Sequence, residues 1–190
     1  MQRSETVLSK TATQKKLYRY TISGILFTSI LGSLSHFFYT WSGNNPYVGL
    51  FAPVNESVWE HMKLLFFPML LYFLFEKLMM ENYPPSLPSR NVLALLFGVL
   101  LIPVLYYTYT GVLGFHLISL DIAVFYLSVV FGFLLRHALP AAKKISTPCR
   151  LWLTALAALI FLCFLIFTWC PPSLGLFQVY TSASSPSSIC

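Results

Sequence analysis

The stretch VLALLFGVLLIPVLYYTYTGVLG, residues 92–114, contains no charged residue and decides the class of fold. A helix rises about 1.5 Å per residue, so about 20 apolar residues cross the ~30 Å hydrocarbon core of a bilayer. Further stretches of similar length and character lie at residues 20–41, 58–80, 117–139 and 151–170. The sequence therefore predicts an all-α integral membrane bundle of five transmembrane helices.

The composition excludes other classes of protein. Of the 190 residues, 57% are hydrophobic and only 9% are charged, and the mean hydropathy is +0.71. A soluble domain carries about 25% charged residues, so this chain cannot cover a water-exposed surface of its size. The apolar content also excludes extended disorder. The lipid bilayer is therefore the first partner that the sequence predicts.

The positions of the basic residues predict the orientation of the bundle across the membrane. Except for Lys63, they fall in the N-terminal tail of residues 1–19 and around the second-to-third and fourth-to-fifth loops. Cytoplasmic segments are enriched in Lys and Arg. We therefore expect a multi-pass protein of the plasma membrane, with the N-terminus cytoplasmic, residues 20–170 in the bilayer and a Ser-rich tail, residues 171–190, outside. The net charge of +6 then reflects topology and contact with anionic headgroups, and no nucleic-acid partner is expected.

Ionisable side chains in apolar helices are the informative residues of a membrane protein, because each costs about 2.5–3.5 kcal/mol near a helix centre. Glu56 and Glu60 lie at the predicted external start of the second helix. Since about 100° separates successive helical residues, Glu56, Glu60 and Lys63 are expected to form one polar stripe, with His61 on its flank. Such a stripe should face the interior of the bundle.

Two other helices place ionisable residues at the same depth. His36 lies about five residues inside the external end of the first helix, and Asp121 about as far inside that of the fourth, roughly 7 Å below the outer boundary. Small residues around His36 permit close packing of the helices. Segments distant in sequence therefore direct acid and imidazole groups toward one external layer.

Three interpretations of this cluster stay open. It is a hydrogen-bonded lock between helices, with His36 paired to Asp121 or Glu60, or a metal site, or a pathway for ions or protons. Imidazole and carboxylate ligands suit zinc or another divalent ion, although no HExxH motif is present. The residues that offer such ligands are Glu56, Glu60, His61, His36 and Asp121.

The leading hypothesis is a membrane-embedded, metal-dependent hydrolase of a lipid or peptide. Its catalytic residues, which would bind metal or relay protons, are Glu60, His61, His36 and Asp121, with Glu56 secondary. A small transporter or ion-binding subunit is the alternative, and a structural or accessory membrane protein is the third hypothesis. A homo-oligomer or another membrane protein stays open as a partner.

Smaller signals concern the helix ends and the cysteines. Asn55 or Ser57 is expected to cap the second helix. Glu76 is expected to reach the inner interface or to pair with the lysine that follows it. The cysteines show no metal-ligand spacing. Cys170 and Cys190 are both predicted to be external, where a disulfide between them can form.

Two runs of sequence resemble a known family: HFFYTWSG, residues 36–43, and LFAPVNESVWEHMKLLFFP, residues 50–68. They are similar to an uncharacterised family of small bacterial multi-pass membrane proteins, domain of unknown function 6512. Its signature, Pro-Val-Asn-Glu-Ser-x-Trp-Glu-His, matches residues 53–61. The Asp-Pro pair that the family leads us to expect after residue 177 is absent. The resemblance implies family membership and supports the site, and it implies no reaction.

Overall fold

The computed structural model describes residues 2–81, 83–139 and 146–179, with side chains from residue 15 onward. Within these ranges the chain is helical and contains no strand, which confirms the predicted all-α class. The helices are α1 (Gln2–Trp41), α2 (Pro46–Gly49), α3 (Val58–Met79), α4 (Leu87–Leu113), α5 (Ile118–Ala138) and α6 (Thr147–Phe167), followed by a 3₁₀ turn at Gly175–Phe177. Cys190 and the predicted tail beyond residue 179 lie outside the described residues, so the Cys170–Cys190 pairing stays a prediction.

Side-chain capping sets the start of α3. Ser57 is its N-cap, and the Ser57 hydroxyl accepts a hydrogen bond from the backbone N–H of Glu60 at 3.3 Å. The side-chain oxygen of Asn55 accepts one from the Ser57 N–H at 2.9 Å. These bonds satisfy donors that the beginning of a helix leaves free. They also fix residues 53–57, which we call the capping segment, directly before α3.

α1 is longer than the predicted first span. It begins at Gln2, runs through the basic segment and ends at Trp41. Its portion from Lys15 to Trp41 is long and apolar enough to cross a bilayer. The helix ends where Gly43 and Asn44 adopt φ angles of 69° and 61°, a left-handed conformation that cannot continue a right-handed helix.

The described residues contain four helices that are long and apolar enough to span a membrane: the Lys15–Trp41 part of α1, and α4, α5 and α6. α3 differs from them because it carries Glu60, Lys63 and Glu76, and because most of its side chains are buried. The chain thus has the helices of a membrane protein, with α3 at the centre of the bundle.

Consecutive long helices run in opposite directions. At one end of the bundle, which we name the site end, the ring of His61 near the start of α3 contacts His36 near the end of α1. The start of α5 meets the end of α4 there, and the end of α6 returns to the same place. At the opposite end, which we name the basic end, Glu76 of α3 pairs with Arg136 of α5. The long helices therefore alternate in direction along the chain.

The core packs around α3, and glycines bring the neighbouring helices close to it. Leu65 and Met69 of α3 have no exposed surface. A Cβ added at Gly32 of α1 would lie 2.5 Å from a backbone oxygen of α3, and one at Gly24 would lie 2.4 Å from a ring atom of α5. Gly132 of α5 packs against the backbone of α4 in the same way, at 3.1 Å. Such close approach supports helix association in lipid, as the small residues of the first helix predicted.

Candidate metal centre

Two imidazoles flank one carboxylate at the site end. Nε2 of His36 and Nε2 of His61 each lie 3.4 Å from Oε2 of Glu56. One ligand atom from each of the three residues can be chosen so that all lie within 4.8 Å of one another. Among the described residues, this group, which we call the triad, has the geometry to hold a metal ion.

Each member of the triad is held by a different segment. His36 lies near the end of α1, Glu56 in the capping segment, and His61 in the first turn of α3. Nδ1 of His61 donates a hydrogen bond to the carbonyl oxygen of Ser57 at 2.9 Å. Because a carbonyl oxygen only accepts, Nδ1 carries the proton and Nε2 presents its lone pair to the triad. Metal-binding histidines are typically oriented by such a bond.

Glu56 is the acid of the triad and lies outside the helices. Its hydrogen bond with His36 holds the pKa of the Glu56 carboxyl below the ordinary glutamate value, and this outweighs the opposite effect of partial burial. The positive charges of His36 and His61 lower the pKa further when the rings are protonated. The carboxylate is therefore in the ionised form that a metal ligand or an ion-pair partner requires.

The triad forms the polar end of a cavity between α1, α3, α4 and α5, with a volume of about 610 Å³. Sites for small molecules have volumes of about 300–1,000 Å³. The inner wall is apolar and includes Leu64, Ile102, Val124 and Phe125. A ligand in this cavity would contact polar groups at one end and hydrocarbon side chains at the other.

A second polar group faces the same cavity. Asp121 accepts a hydrogen bond from the hydroxyl of Tyr109, and its Oδ2 lies 3.7 Å from Nδ1 of His116. Asp121 and His116 line the cavity together with His36 and His61. The structure thus brings Asp121 to the site predicted from sequence, although Asp121 is not among the atoms that converge in the triad.

Glu60 does not take part in the triad. Its carboxylate accepts hydrogen bonds from Nζ of Lys63 at 2.8 Å and from the backbone N–H of Val54 at 3.0 Å. Lys63 is fully buried and also donates to the Gly49 carbonyl at 3.1 Å and to Oγ1 of Thr168 at 2.6 Å. Glu60 and Lys63 therefore connect the capping segment, α2, α3 and the end of α6.

The polar stripe expected for Glu56, Glu60 and Lys63 does not form. α3 begins at Val58, so helical spacing does not extend back to Glu56. Glu56 faces His36 instead, whereas Glu60 turns toward Lys63. Glu56, which was expected to be secondary, is therefore the acid of the triad, and the partner of His36 is neither Asp121 nor Glu60.

The basic end holds a buried charge cluster with a partner that the sequence analysis did not predict. Glu76 pairs with Arg136, and neither side chain is exposed, whereas the lysine that follows Glu76 is exposed. Asn91 donates to Glu76 at 3.3 Å and to Tyr83 at 3.0 Å. Arg90 donates to the backbone carbonyl of Arg136. Burial raises the pKa of Tyr83, which lies between α3 and α4, to about 12.

A signal for this cluster was present in the sequence. Ser128, Gly132 and Arg136 recur at intervals of four residues on α5, and all three are buried. Residues at this spacing share one helix face. The small residues on that face indicate that it points inward, so Arg136 at the same spacing could have been predicted to need an acidic partner inside the bundle, whereas the pattern of basic residues assigns it to the fourth-to-fifth loop.

The fold and the cavity define a class: an all-helical protein whose described part contains four helices able to cross a membrane, with a polar cavity at one end of the bundle. The sequence model of the "Family of unknown function (DUF6512)" matches residues 9–184, and the chain belongs to this family. No curated protein and no solved structure matches the chain significantly. The family suggested by residues 36–43 and 50–68 is thus confirmed.

Proposed function

We propose that this protein crosses the plasma membrane five times and is a metal-dependent hydrolase that acts in the cavity at the site end. The observation that carries the proposal is the convergence of Nε2 of His36, Oε2 of Glu56 and Nε2 of His61. The apolar cavity beside them, with Asp121 and His116 on another wall, supplies room for a substrate and groups for proton transfer.

In this proposal α3, the second long helix of the chain, also crosses the membrane and brings the number of spans from four to five. Its 22 residues extend about 33 Å at 1.5 Å per residue, enough to cross a hydrocarbon core of ~30 Å. Its buried charges are paired, Glu60 with Lys63 and Glu76 with Arg136. Membrane helices typically carry ionisable residues in this form, paired and facing the bundle interior. The alternating directions of the long helices support the same topology.

The basic end faces the cytoplasm in this proposal, because Lys and Arg concentrate on that side. Two native cysteines test the orientation, since Cys149 at the start of α6 and Cys170 after its end are both exposed. In cells that carry a Cys190→Ser background, a membrane-impermeant maleimide should label Cys170. It should label Cys149 only after permeabilisation. The reverse pattern would refute the orientation.

The spacing of the triad suits a tetrahedral metal ion. Zinc binds imidazole nitrogen and carboxylate oxygen at about 2.0–2.2 Å, which places two ligand atoms about 3.4 Å apart at a tetrahedral angle. Both Nε2–Oε2 separations in the triad are 3.4 Å. Two histidines and one glutamate are a ligand set of catalytic zinc sites, in which the fourth position holds water.

A metal ion in the triad would activate water and polarise a carbonyl or phosphoryl oxygen of the substrate. Attack of this water on the carbonyl carbon or the phosphorus would form the new bond to oxygen and break the bond to the leaving alcohol or amine. Asp121, which lies beside His116, accepts the proton of the attacking water, and the proton passes to the leaving group. Tyr109 fixes the orientation of the Asp121 carboxylate through its hydrogen bond.

An ion or proton pathway has less support than a hydrolase. Along α3, Leu65 and Met69 lie between Lys63 at the site end and Glu76 at the basic end, and both are fully buried apolar residues. Val129 of α5 is likewise apolar and fully buried. The described core between the two charge clusters also contains the hydroxyls of Thr28 and Ser128, but neither has a hydrogen-bond partner there, so no hydrogen-bonded relay connects the clusters.

Metal analysis of detergent-purified protein tests the metal centre. We expect stoichiometric zinc or manganese, lost in Glu56→Gln and in His61→Ala. His116→Ala is the matched control, because His116 lines the same cavity outside the triad and its loss should leave the metal bound. Protein that binds neither ion, or that keeps the ion in both triad variants, would refute the metal centre.

Turnover assays distinguish a hydrolase from a protein that only binds metal. Metal-loaded protein is offered lipid esters, phosphate esters and peptides, and product release is measured. Asp121→Asn should keep the metal and lower kcat by about 10²–10⁴-fold, the usual contribution of a general base. Metal binding without turnover on all three substrate classes would contradict the hydrolase.

A further inference from the structure

We infer that the cavity admits one bilayer lipid from the side, between α1 and α5, so that the substrate is a lipid carboxylic or phosphate ester. The chemical step of this inference rests on the proposed function. The entry of the lipid rests on the shape and lining of the cavity and on its depth in the bilayer.

The cavity opens on the lateral surface of the bundle. Phe37 of α1 and Ile118, Ile122 and Tyr126 of α5 line the cavity, and these residues are 50%, 72%, 52% and 41% exposed, far more than the inner wall. Side chains that border both the cavity and the outer surface mark an opening between them. Because the lateral surface of spanning helices faces lipid, this opening leads into the bilayer.

One hydrogen bond marks the lower edge of the opening. The hydroxyls of Ser33 in α1 and Tyr126 in α5 lie 2.9 Å apart. Ser33 is about one helical turn deeper than His36, so the two helices are joined below the triad. The opening therefore lies at the level of His36 and Asp121, where the polar groups of the cavity are.

The inner wall suits a hydrocarbon chain. Leu64, Ile102, Val124 and Phe125 line the cavity and are at most 7% exposed. A lipid chain is as apolar as these side chains, so moving the first part of a chain from the bilayer into the cavity has little cost. A water-soluble polar substrate would instead lose hydration on entering.

The depth of the triad matches the polar part of a lipid. His36 lies about 7 Å below the end of α1 at 1.5 Å per residue. The headgroup and interfacial layer is about 5–7 Å thick on each side of the hydrocarbon core. With the end of α1 placed at the outer face of this layer, the triad lies close to the boundary between the lipid esters and the hydrocarbon, and a lipid can reach it while its chains keep nearly their normal depth.

Photocrosslinking in nanodiscs tests lipid entry. The full chain is reconstituted with phosphatidylglycerol that carries a diazirine near the ester end of one acyl chain, and labelled residues are mapped by mass spectrometry. We expect labels on Leu64, Ile102 and Val124, which bulk lipid does not reach. Ile102→Trp fills the cavity and should lower labelling of Leu64 and Val124 by about tenfold, equivalent to 1.4 kcal/mol.

Two controls accompany this experiment. Leu34 of α1 lies at about the depth of His36, is 43% exposed and does not line the cavity, so it should be labelled equally in wild type and Ile102→Trp. Phe97→Trp changes an exposed position of the same helix, α4, and should leave all labelling unchanged. If Ile102→Trp does not fold, Val124→Trp fills the cavity from α5. Labels confined to outward-facing residues of the wild type would overturn the inference.

Chelator-treated protein separates this inference from the proposed function. Labels on Leu64 and Val124 in a chain that also fails to bind zinc or manganese when either ion is added back would support lipid entry and reject the metal centre. Metal-loaded protein with no label on the inner wall would reject lipid entry and leave the metal centre in place, with a substrate that arrives from water.

Discussion

Glu76→Gln should lower the free energy of unfolding by about 3–5 kcal/mol, the cost of removing one partner of a buried ion pair. Glu76 and Arg136 have no exposed side-chain surface, so water cannot replace the lost carboxylate. Among the described residues, Nε and Nη1 of Arg136 already have no hydrogen-bond partner. The amide oxygen of the glutamine can still accept one hydrogen bond, but the charge of the guanidinium would lose its carboxylate and keep the ring faces of Phe73 and Phe133, at 5.4 and 6.0 Å.

The double variant Glu76→Leu with Arg136→Met should lose less stability than the two single variants together. Replacing both partners of a buried pair by apolar residues is often neutral or stabilising, so a coupling energy of about 2–3 kcal/mol is expected. Unfolding of the protein in mixed micelles with increasing SDS measures each variant. Glu81→Gln removes a carboxylate at an exposed position and should change the stability by less than about 0.5 kcal/mol.

Two results would refute this reasoning. If Glu76→Gln costs no more than Glu81→Gln, Glu76 is not a buried charge with an essential partner. If the losses of the two single variants simply add in the double variant, Glu76 and Arg136 do not act on one another. Either result would also weaken the assignment of α3 as a span, because that assignment depends on its charges being paired.

Further substitutions test the packing of the bundle. Gly32→Ala should lower the free energy of unfolding by about 1–3 kcal/mol, because its Cβ would lie 2.5 Å from a backbone oxygen of α3. A Cβ at Gly111 meets no atom, so Gly111→Ala should be neutral or stabilise by up to about 1 kcal/mol. Thermal melting of both variants checks this. Gly114→Ala also meets no atom, yet its φ of 77° should cost about 1–2 kcal/mol, and a neutral melting temperature would contradict the left-handed end of α4. Trp59→Ala should cost about 3–5 kcal/mol, because its ring packs against rings of α6 and of the 3₁₀ turn. Trp152→Ala on the exposed face of α6 should stay within about 0.5 kcal/mol, and equal losses for the two tryptophans in SDS unfolding would contradict the docking of α6.

The helices could be located from sequence because apolar length and turn residues both mark them. The predicted spans 58–80 and 117–139 nearly coincide with α3 and α5. Two other helices begin earlier than predicted, α4 at Leu87 and α6 at Thr147. Pro88 and Pro148 lie in the first turns of these two helices, where proline is favoured because it lacks the N–H that is free there, whereas the predicted spans begin after them.

The site required information that the sequence alone does not contain. Spacing along the helices places His36, His61 and Asp121 at a common depth, and the structure brings all three to one cavity. Spacing cannot rank Glu56 against Glu60, because the cap of α3 lies between them and helical geometry ends there. Partners on different helices depend on how each helix is rotated about its axis, and no pattern within one helix determines that rotation.

α6 joins the bundle in a different way from the other long helices. Of its own residues Phe164 is buried, and its mean hydropathy is 2.3. A helix as apolar as this is stable in a bilayer before it packs, so it can insert as an independent unit after the preceding helices. Thr168, directly after α6, accepts a hydrogen bond from the buried ammonium of Lys63. Docking of α6 therefore supplies the third acceptor of this ammonium, beside Gly49 and Glu60, so the packing of α6 and the completion of the polar contacts of Lys63 occur together.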